Sequence, residues 1–496
     1  MTLLHPLTPH HAAHSLLPSI STFASSLPSS SSIDTLRTWY TNPSTDPLHP
    51  AILFSLVTAA VVFVLGEVTG NVSQVDRLWT SLPLIYSAHF TFWPLVTGQV
   101  THVADLDHRM LVVFALQCAW SARLTYQSAR RGFLTLNPWG EEDYRWLIVR
   151  RRLPKWAFSL LDLVFIALIQ NLLLLAAELP QYLLLTHDRA ASSHLSQLAR
   201  LKPHHTAVAR VPLNVADALL AGLFVVTLAL EMRADNEQQA FQTLKHAALD
   251  KQKKGGRLTD KEQKAVERGF VAEGLWAWSR HPNFACEQAT WYLLYAFTVL
   301  PFLPLASSFT SHPLSTLAHV GSATTSSSDK AQSTAAQLVN LASTVPGALL
   351  PKHVTLDMAL AALLHPLTTL RALAPDPLAL LNPGALSRLA AQAKLAAHVA
   401  LAEVRADEGT YWNYAVAAPV IMSALFFSST MLTEEISGGK YPLYATYRRR
   451  VAKFWAPLTP LKGLFLALTG GRRAKVDRRI WGDRRGQSEG KTLKRQ

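Results

Sequence analysis

An all-helical membrane protein with about seven crossings is the fold class this sequence predicts, and three observations lead to it. Long apolar runs recur along the chain, charged residues are few, and the basic residues gather beside the apolar runs. Of the 496 residues, 49% are hydrophobic and only 16% charged, with mean hydropathy +0.14; an ordinary soluble domain carries about a quarter charged residues. A formal charge of +14 raises nucleic acid as a partner. No zinc-finger or RNP-like pattern accompanies it, so nucleic acid is set aside, and positive flanks of membrane helices account for the charge. Cys118 and Cys286 both lie in or near apolar segments, which argues against a disulfide framework.

A hydrocarbon core of about 30 Å takes roughly 20 helical residues to cross. By that measure the spans fall at 51–69, 79–98, 109–126, 157–178, 213–231, 287–307 and 411–431, the second and third being the more polar. Lys and Arg number seven in residues 127–156, ten in 231–286 and fifteen in 441–496, the stretches that follow spans three, five and seven. One sidedness satisfies all three: these stretches face the cytosol, the C-terminus included, and the N-terminus is lumenal. The segment before residue 50 has no continuous apolar core, so the first span is read as an uncleaved anchor. The sequon Asn71-Val72-Ser73 would then face the cytosol and stay unglycosylated.

The organisation follows. Residues 1–48, rich in Ser, Pro and His, read as a flexible lumenal tail; 49–308 hold six helices and their cytosolic loops; 309–408 form a low-complexity lumenal insertion. Residues 409–460 carry the seventh helix and a cytosolic segment that can close a site in the C-terminal half, and 461–496 are a basic cytosolic tail, either solvated or held by anionic lipid. His5, His10, His11 and His14 lack carboxylate or Cys partners at ligand spacing, so no metal site is predicted.

Chemistry concentrates where GLWAWSRHPNFACEQ, residues 274–288, sets a basic turn at the head of an apolar segment. Pro282 suits the first position of a helix, with Ser279 and His281 as candidate caps. Arg280 and His281 are expected beside free backbone N–H groups and the positive end of the helix dipole, a setting that attracts phosphates. Asn283, Glu287 and Thr290 recur at i, i+4 and i+7 on one face. At the end of span five, Glu231, Asp235, Gln238 or Gln239, and Gln242 share a face. After span seven come Tyr441, Tyr444 and Tyr447, and between spans three and four lies NPWGEEDYRW, whose Glu142, Asp143 and Arg145 read as a structural salt-bridge loop. The tyrosines read equally well as cofactor contacts or as an interfacial aromatic belt. By the predicted sidedness all of these lie at the cytosolic face, where one pocket can hold them.

The stretch GLW-x-x-S-RHPN-F-x-x-E, the upstream E-x-x-AD with its Gln pair and Phe241, the EDYRW loop and S-x-x-KYP-x-Y-x-x-Y-x-x-x-V-x-x-F together resemble the steroid 5α-reductase-like membrane family, and within it a fungal branch of largely unassigned function. The resemblance spans roughly residues 75–300 and 411–457; RHPN alone is shared with isoprenylcysteine methyltransferases. Two departures stand out: Cys286 replaces a common Gly, and Glu237 a common Gln.

What the resemblance implies is a reductase that binds NADPH from the cytosol and passes hydride to a carbon–carbon double bond conjugated to a carbonyl in a lipid-like substrate, steroid or fatty acyl. Arg280, His281 and the cluster Arg448 to Arg450 suit its phosphates. Asp235, Gln238, Asn283 and Glu287 suit ribose hydroxyls or the carboxamide, and Tyr441, Tyr444 and Tyr447 suit the length of the cofactor. No GxGxxG follows a strand, so a Rossmann site is not the means of binding. Glu67, Tyr86 and Tyr126 are the candidates, by expected burial, for the acid that polarises the carbonyl. An S-adenosylmethionine-dependent methyltransferase and a non-catalytic membrane scaffold are the alternative functions. Endoplasmic reticulum is the expected compartment.

Overall fold

The computed structural model of the chain describes residues 9–135, 137–186, 213–302, 413–469 and 471–482. The insertion expected at 309–408 lies outside these residues, as do His5 and the histidine side chains near it. Among the described residues there are helices and no strand, and the only extended pairing is a single parallel bridge between Ser279 and Ala452.

The helices are α1 Pro9–Ser26, α2 Ile33–Thr41, α3 Leu48–Thr69, α4 Gln74–Leu78, α5 Leu82–Val96, α6 His108–Arg130, α7 Tyr144–Arg152, α8 Lys155–Ala176, α9 Val215–Lys253, α10 Asp260–Arg268, α11 Pro282–Ala296, α12 Ala417–Lys440, α13 Leu443–Arg450, α14 Leu458–Leu468 and α15 Arg472–Trp481. Helix α8 is continuous but passes through a π-helical stretch at Asp162–Ile169. The described part of each of the seven expected spans contains a helix, and among the described residues four helices are long and apolar enough to cross a membrane: α3, α8, α9, and α12 with the turn before it, Tyr414–Lys440. The other three are short or polar: α5 and α11 have 15 residues each, and α6 carries buried Arg109, Gln117, Arg123 and Gln127.

Local chemistry sets the helix ends. Asp107 caps α6 by accepting from the backbone N–H groups of Arg109 and Met110. Asn214 and Asp217 form a capping box at the start of α9, and the Asp217 carboxylate also accepts from Arg109 at 2.7 and 2.9 Å. That buried ion pair pins α6 to α9 at one end. Helix α9, with 39 residues, is about 58 Å long at 1.5 Å per residue, nearly twice a bilayer core. Its apolar first half therefore suits hydrocarbon, while its second half, from Arg233 onward, projects beyond it and carries the polar face towards α11.

Four apolar clusters hold the described fold, the smallest joining Phe241 of α9 and Ala265 of α10 with Val271 and Trp276. The largest joins α3, α5, α8 and residues 179–185 around Trp93, Phe90, Tyr86 and Ile166; a second joins α6, α9, α11 and α12 around Trp120, Phe224, Trp291 and Phe297; a third packs α13 and α15 on Phe270. Two segments read as tails make contacts with the helices among the described residues. Part of the N-terminal stretch is not a free tail: α1 packs on α3, the Ser19 hydroxyl donates to Asp46 at 2.5 Å, and His49 meets the Ser19 carbonyl at 2.7 Å. The described part of the basic tail, to residue 482, likewise folds back, with Ile480 buried, Arg450 paired to Asp477 at 2.7 Å and the Trp481 indole donating to Ala272 at 2.6 Å.

The EDYRW loop is structural, as its sequence suggested. Glu142 forks with Arg150 at 2.8 and 2.9 Å and accepts from the Val72 backbone; Asp143 forks with Arg145 at 2.6 and 2.9 Å. The Asn71 amide, buried here, donates to Gly140 at 2.8 Å and Pro138 at 3.3 Å, so the sequon nitrogen is engaged by backbone carbonyls.

Candidate functional site

Pro282 does open α11, its missing N–H costing nothing at the first helical position. The backbone N–H groups ahead of it are not free, however. Arg280 N–H donates to the Ala452 carbonyl at 2.8 Å and His281 N–H to Lys453 at 3.1 Å, so the strap after α13 has taken the donors expected to receive an anion. The Ser279 hydroxyl bonds the Lys453 carbonyl at 3.0 Å and does not cap the helix.

What gathers at this helix end is a first group of side chains around Glu434, on the last turns of α12. The Arg280 guanidinium forks onto it, Nε to Oε1 at 2.7 Å and an Nη to Oε2 at 3.2 Å. His281 Nε2 lies 3.0 Å from Oε1, and Arg448 Nε lies 3.5 Å from Oε2. The remaining Arg280 donors reach the carbonyls of Arg448 and Val451 at the end of α13, where a cation complements the helix dipole. Burial holds the His281 imidazole below its ordinary range, against the pull of Glu434, so the neutral ring donates to the carboxylate. Burial also lowers Lys453 and Lys462, whose electrostatic neighbours include Glu434, Arg280 and Arg448. Two guanidiniums and the His281 ring thus contact one carboxylate, with the Lys453 and Lys462 ammonium groups among its electrostatic neighbours.

A second group lies further along α11, at Asn283 and Glu287. Arg123, on α6, meets Glu231 and Asp235 of α9 at 3.0 Å each and Glu287 of α11 at 3.2 Å. Asn283 donates to Asp235 at 3.1 Å, Arg131 approaches the same carboxylate at 3.2 Å, and the indoles of Trp120 and Trp291 donate to Glu287 at 3.0 and 3.2 Å. The polar face of α11 therefore finds the partners that its spacing demanded. Three carboxylates stand against two guanidiniums, and one oxygen of Glu231 is buried without a partner.

The tyrosines divide. Tyr444 and Tyr447 are core, packed on Phe270 at ring distances of 5.1 and 5.0 Å, and the Tyr447 hydroxyl donates to the Trp276 carbonyl at 2.5 Å. Neither forms an interfacial belt. Tyr441 stacks over Gly269, whose φ of 78° and close approach to the ring exclude a side chain. Gln238 keeps a buried, unpartnered carbonyl oxygen on α9. The carboxylate at Glu237 accepts from the Leu275 N–H at 2.8 Å and from Arg233 at 3.0 Å, holding the turn that precedes Arg280.

The three proposed acids stay outside both groups. Tyr86 is buried in the first cluster against Phe54. Glu67 and Tyr126 are exposed, which removes the burial on which they were chosen: Glu67 turns outward in the last helical turns of α3, and Tyr126 lies beneath the Arg130 guanidinium on an outer face of α6. Sequence reading missed Glu434 and Arg123. Both are ionisable residues at or inside apolar runs, the signal that marks a functional or paired group in a membrane helix.

Two clefts flank the groups. One, of 580 Å³, lies between α11, α12 and the start of α14 and is lined by Gln288, Ser423, Phe427, Lys453, Phe454 and Trp455; the Phe454 ring also packs 6.1 Å from the His281 ring. The other, also 580 Å³, runs along α9 beside Arg130 and Asn236.

Residues 62–332 match a family described as a protein of unknown function, DUF1295. The chain belongs to the DUF1295 family. The matched region takes in Arg123, Asp235, Arg280 and Glu287 but ends before α12, so Glu434 and the α13 tyrosines lie beyond it. An uncharacterized protein of Schizosaccharomyces pombe is 34% identical over 257 residues, covering 51% of this DUF1295 chain and 65% of the yeast protein, a little under two thirds of its length. No solved structure matches.

Proposed function

We propose that this DUF1295 chain is a multi-pass membrane enzyme of the steroid 5α-reductase-like type, with seven helices crossing the endoplasmic reticulum membrane and the C-terminus in the cytosol. It uses NADPH to reduce a double bond conjugated to a carbonyl in a lipid-like substrate. Hydride goes to the β-carbon, the electron pair moves onto the carbonyl oxygen, and a proton completes the α-carbon.

The observation that carries this reading is the division of charge at the head of α11. Arg280, Arg448, Lys453 and Lys462 outnumber Glu434 on one side, and the carboxyl groups of Glu231, Asp235 and Glu287 gather on Arg123 and Arg131 on the other. A dinucleotide phosphate fits the first group and hydroxyl donors fit the second. Glu434 is then an internal competitor for the cations, displaced in part as the phosphate arrives. The 580 Å³ cleft, mostly apolar with Lys453 at its edge, suits the lipid.

A second reading has support of its own. The carboxyl groups gathered on Arg123 also suit a cationic sulfonium, which favours an isoprenylcysteine-type methyltransferase as the second reading. Equilibrium titration of detergent-purified protein with NADPH and with S-adenosylmethionine decides between them: saturable binding of NADPH is expected, binding of the methyl donor alone would select the transferase, and binding of neither would leave a scaffold.

A further inference from the structure

Helix α14 has two faces of different character. Thr459 and Gly463, four residues apart, are buried against α13: the Gly463 position sits against the Arg450 guanidinium, and Arg450 donates to the Thr459 carbonyl at 3.1 Å. On the opposite side Leu458, Leu461, Leu464, Phe465 and Leu468 are exposed, the last at 77%, and Trp455 just ahead is 74% exposed. Their spacing makes one stripe roughly 120° wide on a helix of 3.6 residues per turn. Soluble surfaces rarely leave so much contiguous apolar area open.

The helix is too short to cross. Eleven residues give about 16 Å, half of a bilayer core. It follows α12, long and apolar enough to span, by only 17 intervening residues, and it is succeeded by α15 with exposed Arg472, Lys475 and Arg479. Apolar stripe, interfacial Trp and flanking cations together are the composition of a helix lying in the plane of an anionic membrane surface.

We propose that α14 is such a helix: its stripe enters the acyl boundary of the bilayer that α12 crosses, while the basic residues of α15 meet anionic headgroups. Docking then sets the strap beside Arg280, because Lys462 on α14 donates to the Arg448 and Val451 carbonyls at 2.6 and 3.0 Å, the two carbonyls that Arg280 also reaches. This role is independent of any catalytic reading.

The test uses the full chain in nanodiscs, with nitroxides placed singly at Leu464→Cys and Leu468→Cys after Cys118→Ser and Cys286→Ala. In discs containing phosphatidylserine both labels are expected to collide more with oxygen than with a water-soluble nickel chelate, and that ratio is expected to fall at least twofold in pure phosphatidylcholine. Nickel-dominated exposure with phosphatidylserine present, or equal burial in both lipids, would overturn the proposal. Hydrogen exchange of the unsubstituted chain over residues 455–468 tests the same docking without substitutions: protection in the anionic discs at least twofold above the neutral ones supports it, and equal exchange refutes it.

Discussion

Arg280 and Glu434 lie 154 residues apart and meet through a two-point fork at 2.7 and 3.2 Å, both nearly excluded from solvent. Removing Glu434 leaves the buried Arg280 guanidinium without a carboxylate, and removing Arg280 leaves Glu434 only His281 at 3.0 Å and Arg448 at 3.5 Å. Arg280→Leu and Glu434→Leu are each expected to destabilise the chain by about 3–5 kcal/mol, the cost typical of breaking a buried pair. The double substitution should be less damaging than the sum of the two, because no buried charge is left alone. Thermal unfolding of the four proteins in one detergent checks this; strict additivity would mean that the fork is not a unit.

His281 gives the pH dependence a definite sign. Its folded pKa is held below the ordinary 6.5 by burial, so between those two values the unfolded chain binds the proton and the folded chain does not. Stability contributed at this position is full above about pH 6.5 and declines as pH falls through the depressed value. His281→Gln should flatten that part of the profile relative to the parent protein. A parent profile that rises on acidification through the same window, and loses the rise in the variant, would reverse the assignment.

Gly269 closes α10 at φ 78° with the Tyr441 ring against it. Gly269→Ala adds left-handed strain, about 1–3 kcal/mol, to a steric conflict with the ring. Tyr441→Ala should recover only the steric part. Full recovery in the double variant, read by thermal unfolding, would show that backbone conformation contributes nothing here.

The Asn71 side chain is expected to remain unmodified even though its sequon is intact, since its amide nitrogen is bound to two carbonyls in a buried loop. Treatment of protein expressed in eukaryotic cells with an N-glycosidase should leave its gel mobility unchanged at this site. A shift abolished by Asn71→Gln would contradict the packing of the 71–77 turn.

Helix positions were legible because apolar run length and proline placement are local properties; Pro282 opening α11 is the clearest case. The partners of Arg280 were not legible. Spacing places Arg280, Asn283 and Glu287 on one helix, but nothing local says that α12 delivers Glu434 to that helix or that α6 delivers Arg123. The same limit explains the N–H groups of Arg280 and His281, which looked free only because the strap at 452–453 is distant in sequence. Glu67 and Tyr126 failed for a different reason: in a membrane helix an apolar neighbourhood in sequence includes the lipid-facing side, so it does not imply burial in protein.

The most direct test of the account is calorimetric titration of NADPH into the purified chain alongside Asn283→Ala and Lys453→Ala. Saturable binding by the parent, at least tenfold weaker binding by Lys453→Ala and a severalfold loss by Asn283→Ala are predicted, because a hydrogen bond to a charged group is worth about 1.5–3 kcal/mol, one between neutral groups about 0.5–1.5 kcal/mol, and about 1.4 kcal/mol is tenfold. No binding by the parent, or equal affinity in all three, would contradict it.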